Sequence, residues 1–228
     1  MQYLVPIVFA LTVSTPGFAQ LSPEEAKSRR GRWNGVFEQI ENLNIELRVN
    51  PFLQMVAANL PLGRALDAGI GQGRNALWLA EQGWQVTGVD ISDKGVEQAE
   101  QRARDQGVEI DGVVADLYGY DYGEEKWDLV VSTYMHEILI GNAEKVIASL
   151  KPGGLLVVEG FHWDHNGKSV QDDQRFGFKV NELPRAFDSL RILHYEDLST
   201  AVDWGPNRSS DQPIVRFLAR KVSDEQAN

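Results

Sequence analysis

LDAGIGQGRNALWLA, residues 66–80, sets three glycines, Gly69, Gly71 and Gly73, between an acidic residue, Asp67, and an apolar, alanine-rich run. A glycine turn that leads from a strand into a helix lets backbone approach a ligand with no Cβ in the way. The helix N-terminus adds unpaired N–H groups. Two nucleotide ligands compete for such a turn. Gly71-Gln72-Gly73-Arg74-Asn75-Ala76 satisfies the dinucleotide pattern G-x-G-x-x-A, so the glycines alone leave an NAD(P)-dependent oxidoreductase open. Asp67 stands just before the glycines, where a carboxylate suits an amino-acid ammonium better than a pyrophosphate. Asp90, 19 residues after Gly71 and 21 after Gly69, is spaced to accept from ribose hydroxyls in either ligand. Asp116, in VVADLYGY, offers an acceptor for an adenine amino group.

Outward from this turn the chain alternates strand-like and helix-like stretches. The patterns predict strands at 64–68, 85–90, 107–114, 127–133 and 154–159, with helices at 74–82, 93–106 and 142–150. Such alternation implies parallel strands joined by right-handed crossovers, in a sheet covered on both faces. In SLKPGGLLVVEG, Pro152 stops a helix, Gly153-Gly154 turns the chain and a buried strand begins. The end of the chain reads differently, as a short helix over 181–187 and strands over 190–196 and 214–221. With no long helix between them, the two strands suit an antiparallel hairpin. Upstream, Ser22, Pro23 and Glu25 form a helix start whose helix ends near Gly31 or Gly35, and Asn50-Pro51 starts a second. Trp33 and Phe37 are placed either to lid the nucleotide site or to pack on the sheet edge; Arg29, Arg30 and Arg32 read as a solvated helix face.

The composition fits a soluble globular α/β domain, with 43% hydrophobic and 24% charged residues among 228. A net charge of −11 argues against holding phosphate backbones, so a small-molecule partner is expected and nucleic acid is not. There is no cysteine, which excludes disulfides, thiolate metal ligands and cysteine nucleophiles. Residues 1–20 carry no charged side chain, and an apolar run from Tyr3 to Val13 precedes small residues at Gly17 and Ala19. That pattern predicts a signal peptide over residues 1–19, cut after Ala19, with no stable membrane insertion after processing. The alternative is a loose apolar extension on a chain that stays in the cytoplasm. The expected division is a helical lid segment over 20–63 and a sheet core over 64–222.

Five segments, LDAGIGQGRN, VTGVDIS, VVADL, WDLVVSTYMHE and LKPGGLLVVEG, resemble the ordered motifs of class I S-adenosylmethionine-dependent methyltransferases across about residues 64–160. The wording GQGRNALWLAEQGWQVTGVDIS is similar to the small-molecule branch of tellurite and thiopurine methyltransferase-like proteins. The resemblance implies a Rossmann-like, doubly wound seven-stranded sheet of order 3-2-1-4-5-7-6, strand seven antiparallel, with helices on both faces. It implies S-adenosylmethionine as the cofactor and a small-molecule acceptor. By position, Asp67 and the backbone of Gly69, Gly71 and Gly73 would hold the methionine moiety, and Asp90 the ribose. Ile91 would flank the adenine, Asp116 and Leu117 would meet its amino edge, and Ser132 and Thr133 would lie beside the transferring methyl. A non-catalytic donor-binding module of the same fold stays open, because methyl transfer needs placement more than it needs a base. If a base exists, His136 in TYMHE is the first candidate, with Tyr134 as its orienter; a polar loop histidine is the other reading. HEILI lacks the second histidine of a zinc-protease motif, and His162 with His165 offers two ligands and no third, so no metal is expected.

Overall fold

The computed structural model describes residues 21–42, 46–166, 177–202 and 211–223, with the side chains of His165 and Asn166 excepted. The signal-peptide expectation therefore lies outside the described residues. Seven strands form one sheet: β1 (Arg64–Ala68), β2 (Gln85–Asp90), β3 (Asp111–Val114), β4 (Trp127–Thr133), β5 (Leu150–Phe161), β6 (Arg191–Ala201) and β7 (Asp211–Arg220). Their order is β3-β2-β1-β4-β5-β7-β6. β1 to β5 pair in parallel, while β7 runs antiparallel to both β5 and β6. This is the order and sense that the resemblance implied.

Helices α1 (Pro23–Asn42), α2 (Pro51–Ala57), α3 (Arg74–Glu81), α4 (Asp93–Gln106), α5 (His136–Gly141), α6 (Ala143–Ser149) and α7 (Glu182–Ala186) complete the fold. Two apolar clusters separate the layers. Phe52, Leu53, Leu79, Val96, Leu129 and Val157 fill one face of the sheet. Trp127, Val146, Leu156, Leu183, Phe187 and Phe217 fill the other. Strands buried on both faces read as continuous apolar runs such as LVV and LLVV, which is why they were legible.

The helix starts follow the expected chemistry. Ser22 and Glu25 form a reciprocal capping box, Ser22 N–H donating to Glu25 Oε2 and Glu25 N–H to Ser22 Oγ. Asn50 caps α2 by accepting from Leu53 N–H, and Ser92 caps α4 by accepting from Gly95 N–H. Gly107, at φ +70°, closes α4. That closure shortens the third strand, which begins at Asp111 and not at Gly107 as expected.

Other boundaries also differ from expectation. α1 does not stop at Gly31 or Gly35 but continues to Asn42. The two glycines cost roughly 1 kcal/mol each in helix propensity, and tertiary contacts override that cost. Phe37 is buried against the glycine turn, and Asn34 donates to Asp93 Oδ1 and accepts from Ser92 Oγ. Arg30 is exposed, as the solvated-face expectation has it, and Arg29 is half-buried, yet both reach the body of the fold. Arg30 Nε donates to Ile91 O, and the Arg29 guanidinium lies over the Tyr118 ring at 5.8 Å. Arg32, as expected, is exposed. α5, read as loop, is a helix of six residues whose ILI run has no helical period of its own.

Candidate active site

The glycine turn joins β1 to α3 with all three glycines in the left-handed region: φ is +90° at Gly69, +49° at Gly71 and +88° at Gly73. A Cβ at Gly73 would lie 2.9 Å from Ala99 Cβ on α4, so close packing as well as backbone conformation requires glycine there. Asp90, at the end of β2, braces the turn. Its Oδ2 accepts from Gly71 N–H at 2.9 Å and its Oδ1 from Ser92 N–H at 2.9 Å. Burial pushes the Asp90 carboxyl up, opposed by the N–H groups of Ser92, Gly71 and Ile91. Its lone pairs outnumber these donors, so it keeps capacity for further hydroxyls.

Asp67 is 1% exposed, and its Oδ1 has no hydrogen-bond partner. Burial pushes its carboxyl up to about 7, against the opposing charge of Arg74 and with the repulsion of Asp90. A buried carboxylate oxygen left without a donor, next to a glycine turn, is a site that calls for a cation. Ile91 and Leu117 are buried, and Asp116 is half-buried and caps its own turn by accepting from Tyr118 N–H at 3.1 Å. α1 lies across this edge. Phe37 packs on Gly71 and Gly95, and Trp33 stacks on Phe37 at 5.8 Å.

The tip of β4 lies on the far side of Asp67. Ser132 and Thr133 are both buried there, and Thr133 Oγ1 accepts from Asn75 Nδ2 at 3.2 Å. Tyr134 follows with φ +61°, a left-handed conformation that costs a bulky residue on the order of 1–3 kcal/mol. Its hydroxyl donates to Glu159 Oε1 at 3.2 Å. Its ring lies under the Arg74 guanidinium at 5.8 Å and beside Phe161 at 4.9 Å.

His136 occupies a different place from the one a base requires. Its ring is 7% exposed, packs 4.9 Å from Phe178, and its Nε2 accepts from Phe161 N–H at 2.9 Å. That lone pair is committed to the end of β5, and protonating it would break the bond and place charge among aromatic rings. Tyr134 orients toward Glu159 and not toward His136. We expect His136→Ala to destabilise the fold by about 1–3 kcal/mol, the penalty for stranding a buried N–H. Donor affinity measured by calorimetry should stay within a few-fold of the parent.

Sequence reasoning missed Asn50, Asn75, Glu159 and Arg216, which meet beneath Tyr134. Glu159, 2% exposed, accepts from Arg216 Nε at Oε2 (2.8 Å) and from Asn50 Nδ2 at Oε1 (2.6 Å). The available signal was a charge inside each of two buried strand patterns, VVEGF and IVRFL, since such charges demand partners. His162 is buried, with Nδ1 accepting from Asp164 N–H at 3.2 Å; the His165 side chain lies outside the described residues. His194 sits in β6 with its ring 5.4 Å from Phe52. Among the described residues no group of three or more His, Cys, Asp or Glu side chains is placed to hold a metal ion, and no helix is long and apolar enough to cross a membrane.

Residues 65–154, which run from β1 into β5 and contain the glycine turn, match a family model described as a methyltransferase domain. Over those residues the chain is similar to methyltransferase domains. The sequence is similar to the ribosomal protein L11 methyltransferase of Dictyoglomus turgidum, 31% identical over 129 residues, which is 56% of this chain and 42% of that one. The chain spans 35–56% of the length of the first curated relatives it matches. In fold it is similar to TehB from Haemophilus influenzae, with a TM-score of 0.64 at 20% identity over 76% of this chain and 62% of that one. It is similar too to the [4+2]-cyclase SpnF, with a TM-score of 0.69 at 19% identity over 86% and 96%.

Proposed function

We propose that the chain transfers the methyl group of S-adenosylmethionine to a small-molecule acceptor by in-line displacement. The observation that carries this reading is Asp67, a buried carboxylate with an unpartnered oxygen beside three left-handed glycines. The donor supplies an ammonium for that oxygen, whereas a pyrophosphate would add negative charge to it. Asp67 and the backbone of Gly69, Gly71 and Gly73 would hold the methionine moiety and Asp90 the ribose hydroxyls. Ile91 would flank the adenine, with Asp116 and Leu117 at its amino edge, and Ser132 and Thr133 would lie beside the methyl.

S-adenosylmethionine, when bound, brings an activated methyl and a neutral sulfide leaving group. What remains for the protein is to hold acceptor and methyl in line and to exclude water. With His136 committed to β5, the acceptor nucleophile arrives deprotonated or releases its proton to water. The relatives named for ribosomal protein L11 make a protein acceptor the competing class, and the small-molecule reading rests on the GQGRNALWLAEQGWQVTGVDIS wording. The likeness to SpnF favours a second reading, a donor-binding fold that catalyses no methyl transfer.

Calorimetry with S-adenosylmethionine, S-adenosylhomocysteine and NAD, run side by side, tests the donor. Binding of NAD alone overturns the assignment. Acceptor-dependent release of S-adenosylhomocysteine over a panel of thiols, oxyanions and phenols, with L11 protein as a further member, tests the acceptor class. Asp90→Ala should weaken donor binding by about 1.5–3 kcal/mol, the range for hydrogen bonds to a charged group. The same calorimetric titration reads it, and unchanged affinity would remove Asp90 from the ribose site.

A further inference from the structure

We propose that Glu159 and Arg216 are positioning residues, a part-buried ion pair that fixes Tyr134 at the tip of β4 as the acceptor-side wall of the donor site. The proposal rests on the methyltransferase reading for the identity of that site, and the placement of Tyr134 is tested separately from it.

Glu159 grips Tyr134 twice. Tyr134 N–H donates to Glu159 O at 2.8 Å and the hydroxyl donates to Glu159 Oε1 at 3.2 Å. The carboxylate is itself held from both sides, by Arg216 Nε and by Asn50 Nδ2. Arg216 stands directly opposite Glu159 in the β5–β7 register and opposite Glu196 in the β7–β6 register, and its Nη1 donates to Glu196 Oε2 at 3.4 Å. Its guanidinium lies over the Phe52 ring of α2 at 5.7 Å.

Asn50 extends the network to the donor side. Its N–H donates to Asn75 Oδ1 at 3.0 Å, and Asn75 Nδ2 donates to Thr133 Oγ1. Thr133 and Tyr134 are chain neighbours, so the bonds Thr133–Asn75–Asn50–Glu159–Tyr134 close a circuit around the strand tip. Thr133 faces the donor half of this circuit, and Tyr134 packs with Phe161, Leu198, Val202 and Ile214 at the other. A left-handed bulky residue persists only where its surroundings over-determine it. The circuit supplies that determination. A buried ion pair gives little net stability that apolar residues could not give. Its geometric effect on Tyr134 is what apolar residues would not reproduce.

The full chain labelled with 3-fluorotyrosine reads the position of Tyr134 directly. The sequence has six tyrosines, and Tyr134→Phe assigns the resonance. In the parent we expect one narrow ¹⁹F line for Tyr134 that shifts when S-adenosylhomocysteine is added. In Glu159→Gln/Arg216→Met that line should broaden or split, with and without ligand, while the lines of Tyr118, Tyr122 and Tyr195 keep their positions and affinity for S-adenosylhomocysteine stays within about threefold. Arg216→Lys, which keeps the charge and loses the fork, should fall between the two and serves where the double variant does not fold. An unchanged Tyr134 line in a folded variant overturns the proposal, since the backbone alone would then place the ring. Failure of the parent to bind S-adenosylhomocysteine overturns the donor reading instead, because the ligand-free line still reports what the ion pair does.

Discussion

Asp67→Asn is expected to make the ligand-free protein more stable and its donor binding much weaker. The Asp67 carboxyl is raised to about 7 in the fold by burial, against about 3.9 in an unfolded chain. Between those values the folded state holds the extra proton, so stability falls as pH rises through this window and stays low above it. A shift of this size corresponds to on the order of 4 kcal/mol. Asparagine carries no charge to desolvate. The variant should therefore gain a few kcal/mol over the parent at pH 8 and nothing at pH 4, read as denaturation midpoints at the two pH values. Donor binding moves the other way. An ammonium is held by the carboxylate and not by the carboxylic acid, so parent affinity for S-adenosylhomocysteine should fall about tenfold for each pH unit below 7. In Asp67→Asn the affinity should be lower by about 1.5–3 kcal/mol at pH 8 and independent of pH. A parent affinity that is flat from pH 5.5 to 8 would detach Asp67 from the donor.

The glycine turn and the acids beside it were legible because these residues lie within short, ordered segments. Asp67, the glycines and Asp90 sit at strand ends whose apolar runs announce themselves, and a turn demanding positive φ leaves glycine as its mark. α1 was cut short because two glycines read as stops, and contacts such as Phe37 on Gly71 have no local signature. His136 misled for a related reason. HE in a polar-looking loop suggests an available imidazole, but Phe161, 25 residues later, supplies the N–H that occupies it. Glu159 and Arg216 are 57 positions apart and become neighbours only once β7 inserts between β5 and β6. Their charges in apolar strands were visible, but the pairing was decided by strand order.

Removing Glu159 from that pair should be among the more damaging side-chain changes in the sheet. Glu159→Ala removes the 2.8 Å bond to Arg216 and leaves its Nη1–Glu196 contact at 3.4 Å, and it removes the bonds that Asn50 Nδ2 and the Tyr134 hydroxyl make to Oε1. Breaking a buried pair in this way costs about 3–5 kcal/mol, a large part of the roughly 5–15 kcal/mol that holds a domain folded. For a chain of this length that corresponds to a drop of about 6–20 °C in Tm. Removing both members is a different experiment, because no buried charge is stranded. Glu159→Leu/Arg216→Met should lie within about 1–2 kcal/mol of the parent, since apolar replacement of a buried pair is often neutral or stabilising. Urea unfolding of Glu159→Leu, of Arg216→Met and of the double closes a cycle that isolates the coupling. A small coupling would mean that Glu159 is sustained chiefly by Asn50 and Tyr134. A large coupling, in a double variant that is stable yet has lost the fixed Tyr134 line, would separate what holds the sheet together from what aims its tip.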